Sequence, residues 1–403
     1  MPLANIAGVG VPKRDASPNR LPFYTGETGF DDQGVETRTS AEQLEVEDLV
    51  LRVVNQLLEQ TRDNPGYRNS LPVLVRRSHV KFILKAINNG LHQSYQNLDA
   101  SGPWLCYWTV HSMNLLGIEL EDSMKSAFVR YLNRCKHPLG GYNGGPQQVA
   151  HLAATYGAVT CLLSLGTTEA YESIDRKSLL SFLLRMHQPD GSFIMHDAGE
   201  VDVRGTYCAL AVARLTNIMC EPLTRNCVEF ILACQTYEGG FGGLPGLEAH
   251  GGYTFCSIAA LAILDSESKC NLQKLLKWLV MRQCPFEGGF NGRTNKLVDS
   301  CYSYWQAGAI PIVYRALSLD ERFVETLPVN RWLFNQRALQ EYLLTCCQSP
   351  HGGLIDKPGK HPDYYHTCYA LSGLSISQHF TFPEENAPLL VGSNENQLKA
   401  AIT

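Results

Sequence analysis

The sequence predicts an all-α fold, an α/α barrel (toroid) of inner and outer helices built from repeats of roughly 50 residues. Three observations predict it. A glycine-containing phrase recurs five times, an amphipathic stretch precedes each copy, and a more apolar stretch follows each copy after a short polar loop.

The phrases are Cys135-Lys-His-Pro-Leu-Gly-Gly-Tyr142, His187-Gln-Pro-Asp-Gly-Ser-Phe193, Cys234-Gln-Thr-Tyr-Glu-Gly-Gly-Phe241, Gln283-Cys-Pro-Phe-Glu-Gly-Gly-Phe290 and Cys347-Gln-Ser-Pro-His-Gly-Gly-Leu354. Their glycines suit the left-handed backbone that ends a helix, and the closing aromatic suits packing back onto it. Ser178-Leu-Leu-Ser-Phe-Leu-Leu-Arg-Met186 shows the amphipathic stretch that comes before. The stretches that come after start at His151, Asp202, Gly251, Asp299 and Tyr364, then run on in Ala, Leu, Val and Ile. Helices apolar almost all round belong inside, covered by a second layer. Periodicity alone fits an open helical solenoid equally well. The barrel is favoured because polar residues gather at one position of every repeat, the start of the inner helix, and a ring brings those starts to one mouth.

Residues 1–64 are rich in Gly, Pro, Asp and Thr and read as a mostly flexible tail with one helix near Glu45–Thr61. Residues 65–380 form the barrel domain and 381–403 a C-terminal tail. Hydrophobic residues make up 44% of the 403 and charged residues 18%, enough apolar chain for a large core. The net charge is -5 with no run of Lys and Arg, which argues against nucleic acid and against a basic membrane arm. No apolar run is long enough to span a bilayer, and no secretory signal is evident. The 14 cysteines form no C-x-x-C pair and read as reduced, buried thiols of a cytoplasmic protein.

Chemistry is expected at the inner-helix starts. Asp299 and Cys301 lie two apart, and His366 holds the matching place in the last repeat. Such an O, S, N set suits zinc, with one tetrahedral position left over. Residues two apart point to different sides of a regular helix, so this pair belongs at the helix start, where geometry is freer. Taken singly, Asp299 also reads as an N-cap, Cys301 as a core thiol and His366 as a satisfied polar residue. An open zinc position can activate water or bind a substrate thiol as thiolate. No H-E-x-x-H accompanies these residues, so thiolate activation needs fewer missing parts. His250, Arg293, Lys296 and Tyr302 add a cationic set with a phenol that suits a diphosphate, and a solvated loop explains Arg293 and Lys296 as well. That pair shares one face if its segment is helical. Arg204 adds a further contact. Trp104, Trp108, Tyr156, Tyr207, Tyr253, Trp305 and Tyr365 sit near inner-helix positions, either as core or as the wall of an apolar funnel.

With these residues in place, the chain resembles the protein prenyltransferase beta-subunit family, most closely its farnesyl-transferring branch. The resemblance runs over roughly residues 70–380. It is carried by Pro103-Trp-Leu-Cys-Tyr-Trp108, Gly199-Glu-Val-Asp-Val-Arg204, Glu248-Ala-His-Gly-Gly-Tyr-Thr-Phe-Cys256, Asn295-Lys-Leu-Val-Asp-Ser-Cys-Tyr-Ser303, Asp356-Lys-Pro-Gly-Lys360 and Tyr364-Tyr-His-Thr-Cys-Tyr369. It implies an α/α barrel, one zinc on Asp299, Cys301 and His366, and an alpha-subunit partner. It also implies farnesyl diphosphate and proteins ending in Cys-a-a-X (CaaX) as substrates. His250, Arg293, Lys296 and Tyr302 match the family's diphosphate residues. Arg204, Tyr207, Gly252, Tyr253, Cys256 and Trp305 match its isoprenoid pocket, and Ser101, Trp104, Trp108, His151, Ala153 and Tyr365 its peptide side. Trp104 resembles the residue that closes the funnel to chains longer than farnesyl, and Asp356 the carboxylate that assists Mg2+ at the diphosphate.

Two departures stand out. Ala154 replaces a proline beside the peptide's last side chain, and residues 381–403 differ from the longer C-terminal segment of the family. A type I geranylgeranyl subunit and a non-enzymatic protein-binding barrel are the alternatives. Neither D-x-D-D nor D-D-x-x-D of a terpene cyclase is present, nor G-C-G-E-Q of a complement-type thioester barrel.

Overall fold

A computed structural model describes residues 29–63, 72–320 and 332–379. Of the N-terminal tail read over 1–64, residues 1–28 and 64 lie outside the described residues, as does the whole C-terminal tail read over 381–403.

The longer helices in chain order are α1 (Arg38–Asp63), α2 (Arg76–Asn89), α3 (Gly102–Leu115), α4 (Asp122–Arg134), α5 (Leu152–Leu165), α6 (Arg176–Met186) and α7 (Val203–Leu215). They continue with α8 (Cys227–Ala233), α9 (Gly251–Ile263), α10 (Leu272–Val280), α11 (Tyr302–Ser318), α12 (Gln336–Cys346) and α13 (Tyr364–His379). Two layers alternate from α3 onward. The odd-numbered helices are apolar almost all round, and nearly every residue of α5 and α7 is buried. The even-numbered ones carry one apolar stripe, as Leu179, Phe182, Leu183 and Met186 do on α6. No helix among the described residues is long and apolar enough to cross a membrane.

The chain divides into two compact units, one of Val80–Asn271 and one of the described residues up to His79 together with those from Leu272. In the first, α3 packs on α5, α5 on α7 and α7 on α9. In the second, α11 packs on α13, with α10 outside α11 and α12 outside α13.

Each recurring phrase folds into a tight hairpin-like turn closed by a single bridge, as His187 to Phe193 and Gln283 to Phe290 show. The glycine takes a left-handed φ, +94° at Gly140 and +89° at Gly191. A side chain there would also collide, because a Cβ on Gly140 would lie 1.9 Å from the Ser178 carbonyl oxygen. Glycine is thus required twice over, for its backbone and for the next outer helix pressed against it. The closing Phe193, Phe241 and Phe290 are fully buried, each worth about 2–3 kcal/mol of apolar burial. In three repeats the backbone N–H of that residue donates at 2.9 Å to a threonine hydroxyl on the following inner helix: Tyr142 to Thr155, Phe241 to Thr254 and Leu354 to Thr367. Helices, turn and inner layer are therefore stitched by one repeated bond.

α1 begins at Arg38, earlier than the helix expected from Glu45, and it is not a free tail element. Ser40 and Thr37 exchange hydrogen bonds at its start. Val46, Val50 and Val54 are buried, and the helix packs against α12.

Candidate functional site

Polar caps recur at the inner-helix starts. His151 Nδ1 accepts the Ala153 N–H (3.1 Å), Asp202 accepts that of Arg204 (2.8 Å), and His250 Nδ1 that of Gly252 (3.0 Å). Asp299 accepts the Cys301 N–H (2.9 Å), and Asp363 that of His366 (2.7 Å). Capping satisfies amides that the first helical turn leaves without partners. It also fixes where each side chain points.

In the unit containing α11 and α13, these starts bring Asp299, Cys301 and His366 together, with one ligating atom from each lying within 4.8 Å of the others. Asp299 and Cys301 stand just before α11, not within it, so their spacing of two is no obstacle. His366 Nε2 is 3.3 Å from Asp299 Oδ1, and its Nδ1 is 2.6 Å from Asp363 Oδ2. Burial alone would lower the His366 pKa, but the hydrogen bonds to Asp299 and Asp363 raise it to about 10. Burial works upward on Asp299, yet the His366 hydrogen bond and charge hold it below the usual carboxylate range. Burial raises the Cys301 thiol well above its ordinary value, and the Asp299 charge adds to that. A buried thiol between a half-buried carboxylate and imidazole, with a second carboxylate behind the imidazole, is an O, S, N set that could hold a metal ion. A dication bound there would take the place of the imidazolium proton and would favour the thiolate of Cys301.

Asp363 was not singled out from the sequence, although an Asp three residues before a helical His is a signal for an N-cap. Tyr365 hydrogen-bonds Cys301 and accepts the Trp305 Nε1–H at 3.1 Å, so both aromatics are tied to the trio. The loop bearing Asp356 is pinned to the same place by Ser300, whose N–H donates to the Asp356 carbonyl at 2.9 Å and whose hydroxyl donates to that of Ile355 at 2.7 Å. The Asp356 carboxylate is held by Lys357 Nζ at 2.5 Å. Burial, then the neighbouring Asp299 charge, raise the Asp356 pKa, and Lys357 opposes them.

Arg293 and Lys296 do not lie on a helix. They sit on a turn inside the loop closed by the Asn291–Val298 bridge, where Asn295 takes a φ of +58°. Tyr302 packs its ring over Gly292 so closely that a Cβ there would lie 2.1 Å from it. Burial raises the Tyr302 pKa, the Cys301 and Asp299 charges add to this, and Arg293 opposes it. The phenol therefore keeps its proton and is a donor.

In the unit of Val80–Asn271, an aromatic row crosses four inner helices. Trp104 stacks on Trp108 (centroids 5.6 Å) and meets Tyr156 at 5.5 Å; Tyr156 meets Tyr207 at 5.5 Å, and Tyr207 meets Phe255 at 5.8 Å. The Tyr156 and Tyr207 hydroxyls are 3.2 Å apart. Cys256 is a buried residue of α9, while Ser101 and Ala153 are half-buried at the starts of α3 and α5. His250 spends Nδ1 on the Gly252 amide, which leaves its Nε2 carrying the proton and donating. Its ring lies 5.1 Å from that of Tyr253, and the Arg204 guanidinium sits over the Tyr253 ring at 5.6 Å. Asp202, also unassigned from the sequence, grips Arg204 through both carboxylate oxygens at 2.9 and 2.6 Å.

A helical double layer, an O, S, N metal trio and fixed N–H donors define a class, and comparison with known proteins agrees. The prenyltransferase alpha-alpha toroid domain matches residues 74–401, so the chain belongs to the prenyltransferases built on that toroid, which decides the closed ring over the open solenoid. Within that class it belongs with the protein farnesyltransferase beta subunits and is a subunit of a prenyl-transferring enzyme. The beta subunit of Pisum sativum is 43% identical over 339 residues, covering 72% of this chain and 81% of the relative. That of Schizosaccharomyces pombe is 42% identical over 300 residues, covering 74% and 77%. Among solved structures, the protein geranylgeranyltransferase-I of Candida albicans complexed with GGPP aligns with a TM-score of 0.67 at 24% identity, covering 82% of this chain and 99% of that one. That last likeness shows the fold.

Proposed function

We propose that this chain, with an alpha subunit, transfers farnesyl from farnesyl diphosphate to the cysteine thiol of a protein ending in CaaX. The observation that carries the reading is the convergence of Asp299, Cys301 and His366 at two inner-helix starts, with Asp363 behind the histidine.

A zinc ion on those three residues would hold the substrate sulfur as thiolate. The chain's own groups serve the other half of the reaction. The sulfur–C1 bond forms as the C1–oxygen bond breaks, and negative charge grows on the departing diphosphate. His250 offers an Nε2–H, Tyr302 a hydroxyl, and Arg293 and Lys296 full charges to meet it. Asp356 would hold a magnesium ion at the diphosphate, once Lys357 releases its carboxylate. Arg204, Tyr207, Gly252, Tyr253, Cys256 and Trp305 line the isoprenoid side, and apolar walls exclude water that would otherwise hydrolyse it. Ser101, Trp104, Trp108, His151, Ala153 and Tyr365 receive the peptide. The reaction belongs in the cytoplasm.

Trp104 argues for farnesyl over geranylgeranyl. Wedged between Trp108 and Tyr156, its indole takes the room that a longer chain would need. The test is co-expression with an alpha subunit, then competition between the two diphosphates on peptides varied at X. Farnesyl should be favoured, and Trp104→Thr should shift preference toward geranylgeranyl by at least about tenfold, the worth of a few buried CH2 groups. An unchanged preference in Trp104→Thr would rule out its role as the ruler. A wild-type preference for geranylgeranyl would favour the type I reading.

A further inference from the structure

A second cluster of metal-ligating side chains lies apart from the trio, in the other unit. His151, His196 and Glu200 each present one ligating atom, all within 4.8 Å of one another. We propose that these three form a second, weaker site for a zinc-class divalent cation.

The residues come from two neighbouring repeats. His151 caps α5, and His196 and Glu200 are the first and last residues of a five-residue turn closed by the Met195 N–H donating to the Glu200 carbonyl at 2.8 Å. The turn is built tightly around the His196 ring. Ala198 takes a φ of +61°, and a Cβ on Gly199 would lie 2.7 Å from His196 Cδ2. His196 Nδ1 lies 3.0 Å from the Asp197 carbonyl. A carbonyl only accepts, so Nδ1 carries the proton and the Nε2 lone pair is available to a metal. That Nε2 faces Glu200 Oε2 at 3.8 Å, too long for a hydrogen bond and open enough for an ion between them. The neighbouring cation does not compete for Glu200, because Arg204 is engaged by Asp202 at 2.6 Å. The His151 and His196 rings stand 5.5 Å apart.

Affinity is graded by His151. Its Nδ1 accepts the Ala153 amide, so it ligates through Nε2 only by moving that proton to Nδ1 and giving up the cap. Two nitrogens and one oxygen without sulfur bind zinc less tightly than a set containing thiolate. On the function proposed above, such an ion and the peptide compete for His151; the site itself rests on geometry alone.

The test is a titration of the full chain, co-expressed with its alpha subunit, with Zn2+ and then Co2+ as the probes. Two equivalents of Zn2+ should bind, the second at least about tenfold more weakly. His196→Asn, which keeps a donor to the Asp197 carbonyl, and Glu200→Gln should each weaken the second equivalent at least tenfold and leave the first intact. Co2+ at the second site should add weak visible absorption with no sulfur-to-cobalt charge-transfer band. Binding of a single equivalent, a second equivalent indifferent to both substitutions, or a second charge-transfer band would overturn the proposal.

Discussion

His366 shows how much of the metal trio's design lies one residue behind it. Asp363 accepts its backbone N–H and its Nδ1–H together, so one carboxylate caps the helix, chooses the tautomer and aims Nε2 at Asp299. Removing such an orienting carboxylate typically lowers metal affinity by 10–100-fold. Asp363→Ala should therefore weaken zinc binding by about that factor while farnesyl diphosphate still binds, as chelator competition and a fluorescent diphosphate analogue would show. Unaltered zinc affinity would mean that His366 is oriented by something else. The trio was legible in the sequence because its members occupy matching places in the repeat. Asp363, Asp202 and Lys357 were not, because each acts through a neighbour only one to three residues away and pairing of that kind is indistinguishable from ordinary capping until the side chains are seen.

At the scale of the element, the recurring turn is what positions the chemistry. It delivers the chain from an outer helix to the start of an inner one, and its glycine admits the next outer helix. Gly140→Ala, with a φ of +94° and a Cβ placed 1.9 Å from the Ser178 oxygen, should cost about 3 kcal/mol in chemical denaturation. A cost below about 0.5 kcal/mol would show that the turn relaxes freely.

The outer helix α12 carries a different signature. Burial pushes the Glu341 carboxyl up to about 7, with Arg337 opposing it, and its Oε1 has no hydrogen-bond partner. The folded chain then keeps a proton that an unfolded glutamate releases near 4.5, so stability falls as pH rises between those values and levels off above them. Glu341→Gln should abolish that slope, adding about 3 kcal/mol at around pH 8 and almost nothing at around pH 4. An equal effect at both would point to packing instead of charge. Amphipathic periodicity gave the outer layer correctly, but it placed the start of α1 too late and left open whether Arg293 and Lys296 share a helix. α1 starts at Arg38 because Thr37 and Ser40 cap it, and Arg293 with Lys296 sit on a bridge-closed turn because Asn295 adopts a left-handed backbone.

For the whole molecule, the helical class and the two layers follow from composition and period, which depend on burial alone. Ring closure did not follow from them, since an open solenoid satisfies the same periodicity; membership of the toroid family decides it. Function required a further step, because an O, S, N trio and cations suggest thiolate and anion chemistry, whereas the choice of hydrocarbon, on the function proposed, would be made by shape at Trp104. The function proposed turns on zinc held by Asp299, Cys301 and His366 and on the substrate thiol it would activate. It is tested most directly by measuring zinc content, farnesyl diphosphate binding and thioether formation together in Cys301→Ala co-expressed with the alpha subunit. The substitution should remove the tightly bound zinc and lower thioether formation by at least about a thousandfold, with farnesyl diphosphate affinity kept within about threefold. Wild-type thioether formation by a zinc-free Cys301→Ala protein would contradict it.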